Sequence, residues 1–201
     1  MDSARLTAFT DGVLAVIITI MVLEMKPPEG AALRDLLTQW PVFLSYVLSF
    51  IYVGIYWNNH HHFFQLVTRV DGAMMWANMH LLFWLSIVPF ATAWVGRHPD
   101  AAAPAAAYGA ALLMSGIAWY LMQWAIIRRQ GADSPLRRAI GRDFKGKLSP
   151  LIYLAGTAAA FVRPAISDAL YLGVALMWLL PDRRVEAAFD RERGGGMTTP
   201  G

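Results

Sequence analysis

Apolar and polar positions alternate along this chain in long blocks rather than at every second residue. Six apolar segments lie near 6–25, 41–64, 73–95, 104–127, 148–163 and 165–181. A helix needs ~20 residues to cross the hydrocarbon of a bilayer, and the first four segments meet that length. The last two are shorter and meet at "VRPAISD", where Pro164 cannot continue a helix interior. They are read as a helical hairpin. The pattern predicts an all-α integral membrane protein with six transmembrane helices per subunit. Within the first segment, Phe9, Val16, Ile20 and Leu23 fall on one stripe at steps of seven, four and three residues. Thr19 borders that stripe, and Gly12, Ala15 and Thr19 form a strip of small residues that permits close approach of another backbone.

Composition agrees with the block pattern. The 201 residues are 57% hydrophobic and 15% charged, whereas a soluble domain carries ~25% charged residues. One globular core cannot hide that much apolar surface, so a lipid bilayer is the expected surrounding. There is no cysteine, which excludes disulfides and thiolate metal sites. The net charge of +3 gives no reason to expect nucleic acid as a partner. The N-terminal run lacks a basic leader and is followed by "EMKPPEG" rather than a small-residue cleavage site, so it does not read as a cleaved signal peptide.

The cations orient the spans. With six crossings, thirteen of the Lys and Arg residues fall on the side of both termini and the second and fourth loops, and four on the other. The positive-inside rule then places both termini in the cytoplasm. Residues 1–183 form the transmembrane domain, and 184–201 read as a disordered cytoplasmic tail without apolar period. In the loop 128–147, Ser134 and Pro135 suit the start of a short helix at anionic headgroups, or the segment is a solvated basic loop. No internal repeat is evident.

The polar residues near the inner ends of the spans are the candidate chemistry. Arg5 and Asp11 lie six positions apart, on different faces of one helix, and so call for partners on neighbouring helices. Asn58, His60, His61 and His62 in "YWNNHHHFF", and Asn78 and His80 in "WANMHLLFW", supply them. A buried polar network at the inner leaflet is expected. Three adjacent histidines point ~100° apart and cannot converge on one metal ion, and no HExxH pattern accompanies them. No metal site and no enzyme activity are expected. A proton-coupled transporter using Asp11 and the His60–His62 cluster as a relay is the alternative, although broken helices and mid-membrane polar features are missing. A third reading is a scaffold without transport.

"RLTAFTD" followed by "GVLAVIITIMVLEM" resembles the first helix of the transmembrane protein 175 family of bacterial and endolysosomal potassium channels. The family hallmark is Arg, three residues, then Phe-Ser-Asp. Arg5, Phe9 and Asp11 match it, and Thr10 stands in the serine position. The six spans, the histidine-bearing second helix and "PFAT" at 89–92 extend the resemblance over most of the chain. It implies a homotetramer whose first helices line one central pore without a re-entrant selectivity-filter loop. No "TVGYG"-like segment is present.

By position in the motif, the resemblance assigns the pore constriction to Val16, Ile20 and Leu23, and selectivity to Thr19. It places Arg5, Phe9, Thr10 and Asp11 in the structural network. Val16 is smaller than the usual residue at the innermost ring, which implies a wider ring there. Glu24, just beyond Leu23, either gathers cations at the outer mouth or is an ordinary interfacial carboxylate near Lys26. The implied activity is a leak-like, modestly selective potassium conductance through a hydrophobic gate in a bacterial inner membrane. Potassium is the permeant ion, and no cofactor is expected.

Overall fold

The computed structural model describes residues 2–67, 70–131, 137 and 144–179. Among these residues every regular element is a helix: α1 (Ser3–Leu23), α2 (Leu33–Leu37), α3 (Trp40–Gln65), α4 (Gly72–Arg97), α5 (Ala102–Gln130), α6 (Phe144–Ala159) and α7 (Pro164–Leu179). The expected helix at Ser134–Pro135 and the tail 184–201 lie outside the described residues.

Local chemistry fixes the ends. Asp2 caps α1 by accepting from the Ala4 N–H at 3.2 Å, and Pro27 and Pro28 bar its continuation. Pro41 occupies the first turn of α3, where its missing N–H costs nothing. Asp71 caps α4 by accepting from Met74 N at 2.9 Å. Gly131, with φ of 91°, ends α5. The five-residue α2 escaped the sequence reading because it is too short to show a period. Asp35 holds its start by accepting from Ala32 N–H at 3.0 Å.

Lengths separate the helices into two groups. α1, α3, α4 and α5 have 21, 26, 26 and 29 residues. At ~1.5 Å per residue each exceeds the ~30 Å of bilayer hydrocarbon. These four are apolar enough to span. α6 and α7 have 16 residues each, which gives roughly 24 Å apiece. Between them the chain reverses through residues 160–163, with Arg163 N donating to Ala159 O at 2.8 Å. α6 therefore ends four residues before the expected limit of 163, because a residue preceding proline is steered out of the helical region.

α4 is the hub, packing against α1, α3 and α5; the α6–α7 hairpin lies on α5, and α7 also reaches α3. One core joins the first four long helices through Leu14, Ile17, Met21, Val53, Leu81, Leu85 and Met122. A second, richer in tyrosine, joins α3, α4, α5 and the hairpin through Tyr52, Tyr108, Leu112, Tyr153 and Tyr171. Close approach of the helices needs glycine at Gly96, Gly109 and Gly156; a Cβ at Gly109 would run into the Tyr171 hydroxyl. A Cβ at Gly96 would lie 2.8 Å from Val42 Cα, and one at Gly156 would lie 2.5 Å from Tyr171 Cε1.

The buried polar groups in this second region are chained. Thr92 donates to its own helix at Val88 O over 2.7 Å. Ser49 must then donate to Thr92 Oγ1 at 2.6 Å and accept from Tyr108 at 2.9 Å. Three helices are tied by hydroxyls whose donors and acceptors follow one direction, so none is left without a partner in an apolar interior.

Candidate functional site

α1 packs against α3 and α4 along one face only. That face carries Leu6, Thr10, Leu14, Ile17 and Met21, spaced by four, four, three and four residues. About a third of a turn around the helix lies a second apolar line, which is exposed. Phe9, Val16, Ile20 and Leu23 are 50%, 56%, 41% and 74% exposed. Gly12, Ala15 and Thr19 are exposed beside them. A surface helix of a soluble protein would bear polar residues there. This helix is apolar on both sides, so its outer face needs lipid or another protein surface.

Thr19 is the polar interruption of that outer face. Its hydroxyl donates to Ala15 O at 2.8 Å, within the same helix. The proton is thereby committed to the backbone, and the oxygen lone pairs point away from it toward the exposed side. Such an oxygen can accept from water or ligate a cation.

The inner half of α1 carries the polar contacts. Thr10 is 1% exposed, Asn78 0% and His60 1%. Asn78 Nδ2 donates to Thr10 Oγ1 at 2.9 Å, and Asn78 Oδ1 lies 2.9 Å from His60 Nε2. An amide oxygen only accepts, so His60 carries its proton on Nε2. Its ring stacks on Phe64 at 4.3 Å between centroids. Its Nδ1 is buried without a partner among the described residues. One amide thus joins α1, α3 and α4.

Asp11 takes a separate route. Its Oδ1 accepts from Trp57 Nε1 at 3.0 Å. Trp57 is not among the partners that the sequence offers for Asp11, although its indole N–H is a donor that needs an acceptor at that depth. His61 lies beside Trp57, with centroids 6.1 Å apart, and its Nε2 is 2.9 Å from Gln65 Nε2. His62 meets His61 edge to face at 5.7 Å. Both are exposed, as the ~100° rotation per residue requires when His60 points inward. His80 accepts from Trp84, one turn on, at 3.0 Å, and so turns away from the Asn78 chain.

Other expected members of the network stand elsewhere. Arg5 is exposed and has no side-chain partner among the described residues. Phe9 lies on the outer line with Val16, and Asn58 is exposed at the rim. Arg5 and Asp11 lie about 120° apart around the helix, so they do not both face α3. No hydrogen bond among the described residues joins Asp11 to a histidine; its carboxylate meets Trp57 instead. No group of three or more His, Asp or Glu side chains among them could hold a metal ion.

At the other end of α1, Glu24 meets Arg97 from the end of α4. Arg97 Nη2 lies 3.4 Å from Glu24 Oε2 and 3.4 Å from Glu24 O. Glu24 therefore pairs with a residue distant in sequence rather than with Lys26.

The chain is similar to known proteins in sequence and in fold. Residues 5–89 match the family described as "Endosomal/lysosomal potassium channel TMEM175". A protein of Chryseobacterium sp. (strain P1-3) named as a potassium channel is 53% identical over 186 residues, covering 92% of this chain and 97% of that one. One from Streptomyces collinus, also named as a potassium channel, is 33% identical, covering 88% and 91%. The crystal structure of a lysosomal potassium-selective channel TMEM175 homolog from Chamaesiphon minutus superposes with a TM-score of 0.76 at 30% identity, covering 89% of this chain and 96% of that one.

Proposed function

The chain belongs to the TMEM175 family, and from that premise we propose that it is a potassium-permeable cation channel whose α1 lines a central pore. The observation that carries this reading is the outward apolar line of Val16, Ile20 and Leu23 with Thr19 beside it. Four subunits, each presenting this face to a common axis, would cover what one subunit leaves bare. Two relatives named as potassium channels, alignable over nearly their whole length, support the choice of ion.

The mechanism follows from the wall chemistry. From Val16 to Leu23 the constriction runs for roughly 10 Å at ~1.5 Å per residue. Alkyl rings cannot replace an ion's hydration shell, so a narrow apolar tube stops ions by dewetting before it closes sterically. A modest tilt or rotation of α1 widens and wets it. Thr19 supplies a ring of oxygens near the middle of that length to a partly hydrated cation. Ordered carbonyl cages are absent from this wall, so discrimination between potassium and sodium is modest and the conductance leak-like. Thr10, Asn78 and His60 hold α1 to its scaffold, so that movement of the outer half is not accompanied by loss of the inner anchor.

In this reading the α6–α7 hairpin completes six crossings, both termini lie in the cytoplasm, and the protein works as a homotetramer in the bacterial inner membrane. The test is cation flux from liposomes holding purified protein, driven by a potassium gradient and repeated with sodium. Potassium flux above the leak of empty liposomes, and lower flux with sodium, is expected. No flux from folded tetramers across a range of voltage and pH would remove the channel reading.

A further inference from the structure

Glu24 is the first charged residue past Leu23, and it closes α1 as its C-cap. The carbonyls at a helix C-terminus carry about half a negative charge. Carboxylate and helix end together offer a cation a favourable seat at this point. Arg97 already occupies it: Nη2 approaches both Glu24 Oε2 and Glu24 O at 3.4 Å. The two side chains are 46% and 48% exposed, so their charges act on the surrounding water and ions. Lys26 and His98 lie nearby in sequence but make no ion pair with Glu24.

We propose that Arg97 sets the electrostatic potential of the pore's outer mouth by cancelling Glu24, and so limits how strongly the pore gathers cations. This rests on the reading of α1 as pore wall. In a fourfold assembly the four pairs form a ring without net charge. Removing Arg97 unmasks four carboxylates and four helix ends around the opening, which makes its potential more negative and concentrates cations there. The effect depends on salt, because the screening length falls from ~30 Å at about 0.01 M to ~3 Å at about 1 M.

The experiment is channel conductance in planar bilayers at about 10 mM and about 1 M potassium chloride, the two ends of that screening range, on tetramers verified by size exclusion. Arg97→Gln should raise conductance by about two-fold at low salt, with the difference vanishing at high salt. Glu24→Gln should lower it at low salt, because Arg97 is then unopposed. The double variant should return toward the unmodified channel, and Arg97→Lys, which keeps the charge, should resemble it. Arg34→Gln, which removes a cation that pairs with Asp35 rather than with Glu24, serves as control. Low-salt conductance of Arg97→Gln at or below the unmodified level, while Ile20→Asn still raises flux, overturns the proposal. If Ile20→Asn is also without effect in assembled protein, the pore reading itself fails. Should Arg97→Gln not assemble, Glu24→Gln alone decides: unchanged low-salt conductance overturns the proposal.

Discussion

Asn78 donates to Thr10 across 2.9 Å in a place that water does not reach, with Thr10 1% and Asn78 0% exposed. The same amide accepts from His60. Asn78→Leu keeps the side-chain volume and leaves His60 Nε2–H without an acceptor. A buried donor deprived of its partner costs about 1–3 kcal/mol. Thr10 suffers less, since a helical threonine can turn its hydroxyl to a carbonyl of the preceding turn. The expected outcome is a fall of about 2 kcal/mol in stability, read as a lowered thermal transition of detergent-solubilised protein. Thr10→Val combined with Asn78→Leu should cost less than the two separately, because both act on one bond. An unchanged transition in Asn78→Leu would show that the chain does not hold α1.

Asp11 and Trp57 form a second, independent tie, at 3.0 Å and closer to the surface. Asp11→Ala and Trp57→Phe each remove it, and each should lower stability by about 1 kcal/mol. Together they should cost little more than either alone, whereas Asp11→Ala with Asn78→Leu should be additive. Thermal unfolding of the three single variants and their combinations checks the pattern. Additive losses for Asp11 and Trp57 would mean that the carboxylate acts through some other contact.

Helix positions were legible because long hydrophobic blocks bounded by polar and proline residues mark them, and α3, α4 and α5 begin within two residues of the expected positions. The hairpin was legible from Pro164. The direction of α1's two faces was half legible: periodicity groups Phe9, Val16, Ile20 and Leu23, but an apolar stripe on an apolar helix does not reveal which side meets the core. Burial of Leu14, Ile17 and Met21 resolves that within the subunit. Pairings between helices were not legible. Choosing His60 over His61 and His62 requires the rotation of α3, and Trp57–Asp11 and Arg97–Glu24 join residues 46 and 73 positions apart. Such contacts follow from packing, which one sequence does not encode in any local pattern.

A substitution at Thr19 tests the proposed selectivity role apart from conduction. Thr19→Val keeps the branched shape and removes the oxygen, along with its bond to Ala15 O. Assembly should survive, since that bond lies within one turn of an intact helix. The ratio of potassium to sodium flux should fall by about two-fold or more toward unity, because an alkyl ring offers neither ion a ligand. Parallel liposome assays with the two cations measure it. An unaltered ratio would place ion discrimination elsewhere in the pore.

Ile20 is the sharper test of the wall itself. It lies at the centre of the exposed line, 41% exposed, with Val16 and Leu23 on either side. Because Ile20 lies outside the buried core, Ile20→Asn leaves that core intact. Folding and assembly should therefore persist, as size exclusion would report. An amide ring in the constriction holds water, and dewetting is the barrier that an alkyl ring imposes. Lowering that barrier by about 1.4 kcal/mol multiplies the rate tenfold, so basal potassium flux should rise by about an order of magnitude. Ile17→Asn makes the contrast. Ile17 is 3% exposed against α3 and α4, and an amide buried there without partners should lower stability rather than open a path. If Ile20→Asn assembles normally and leaves flux unchanged, the exposed line faces lipid or a neighbouring subunit, and the pore runs along another surface.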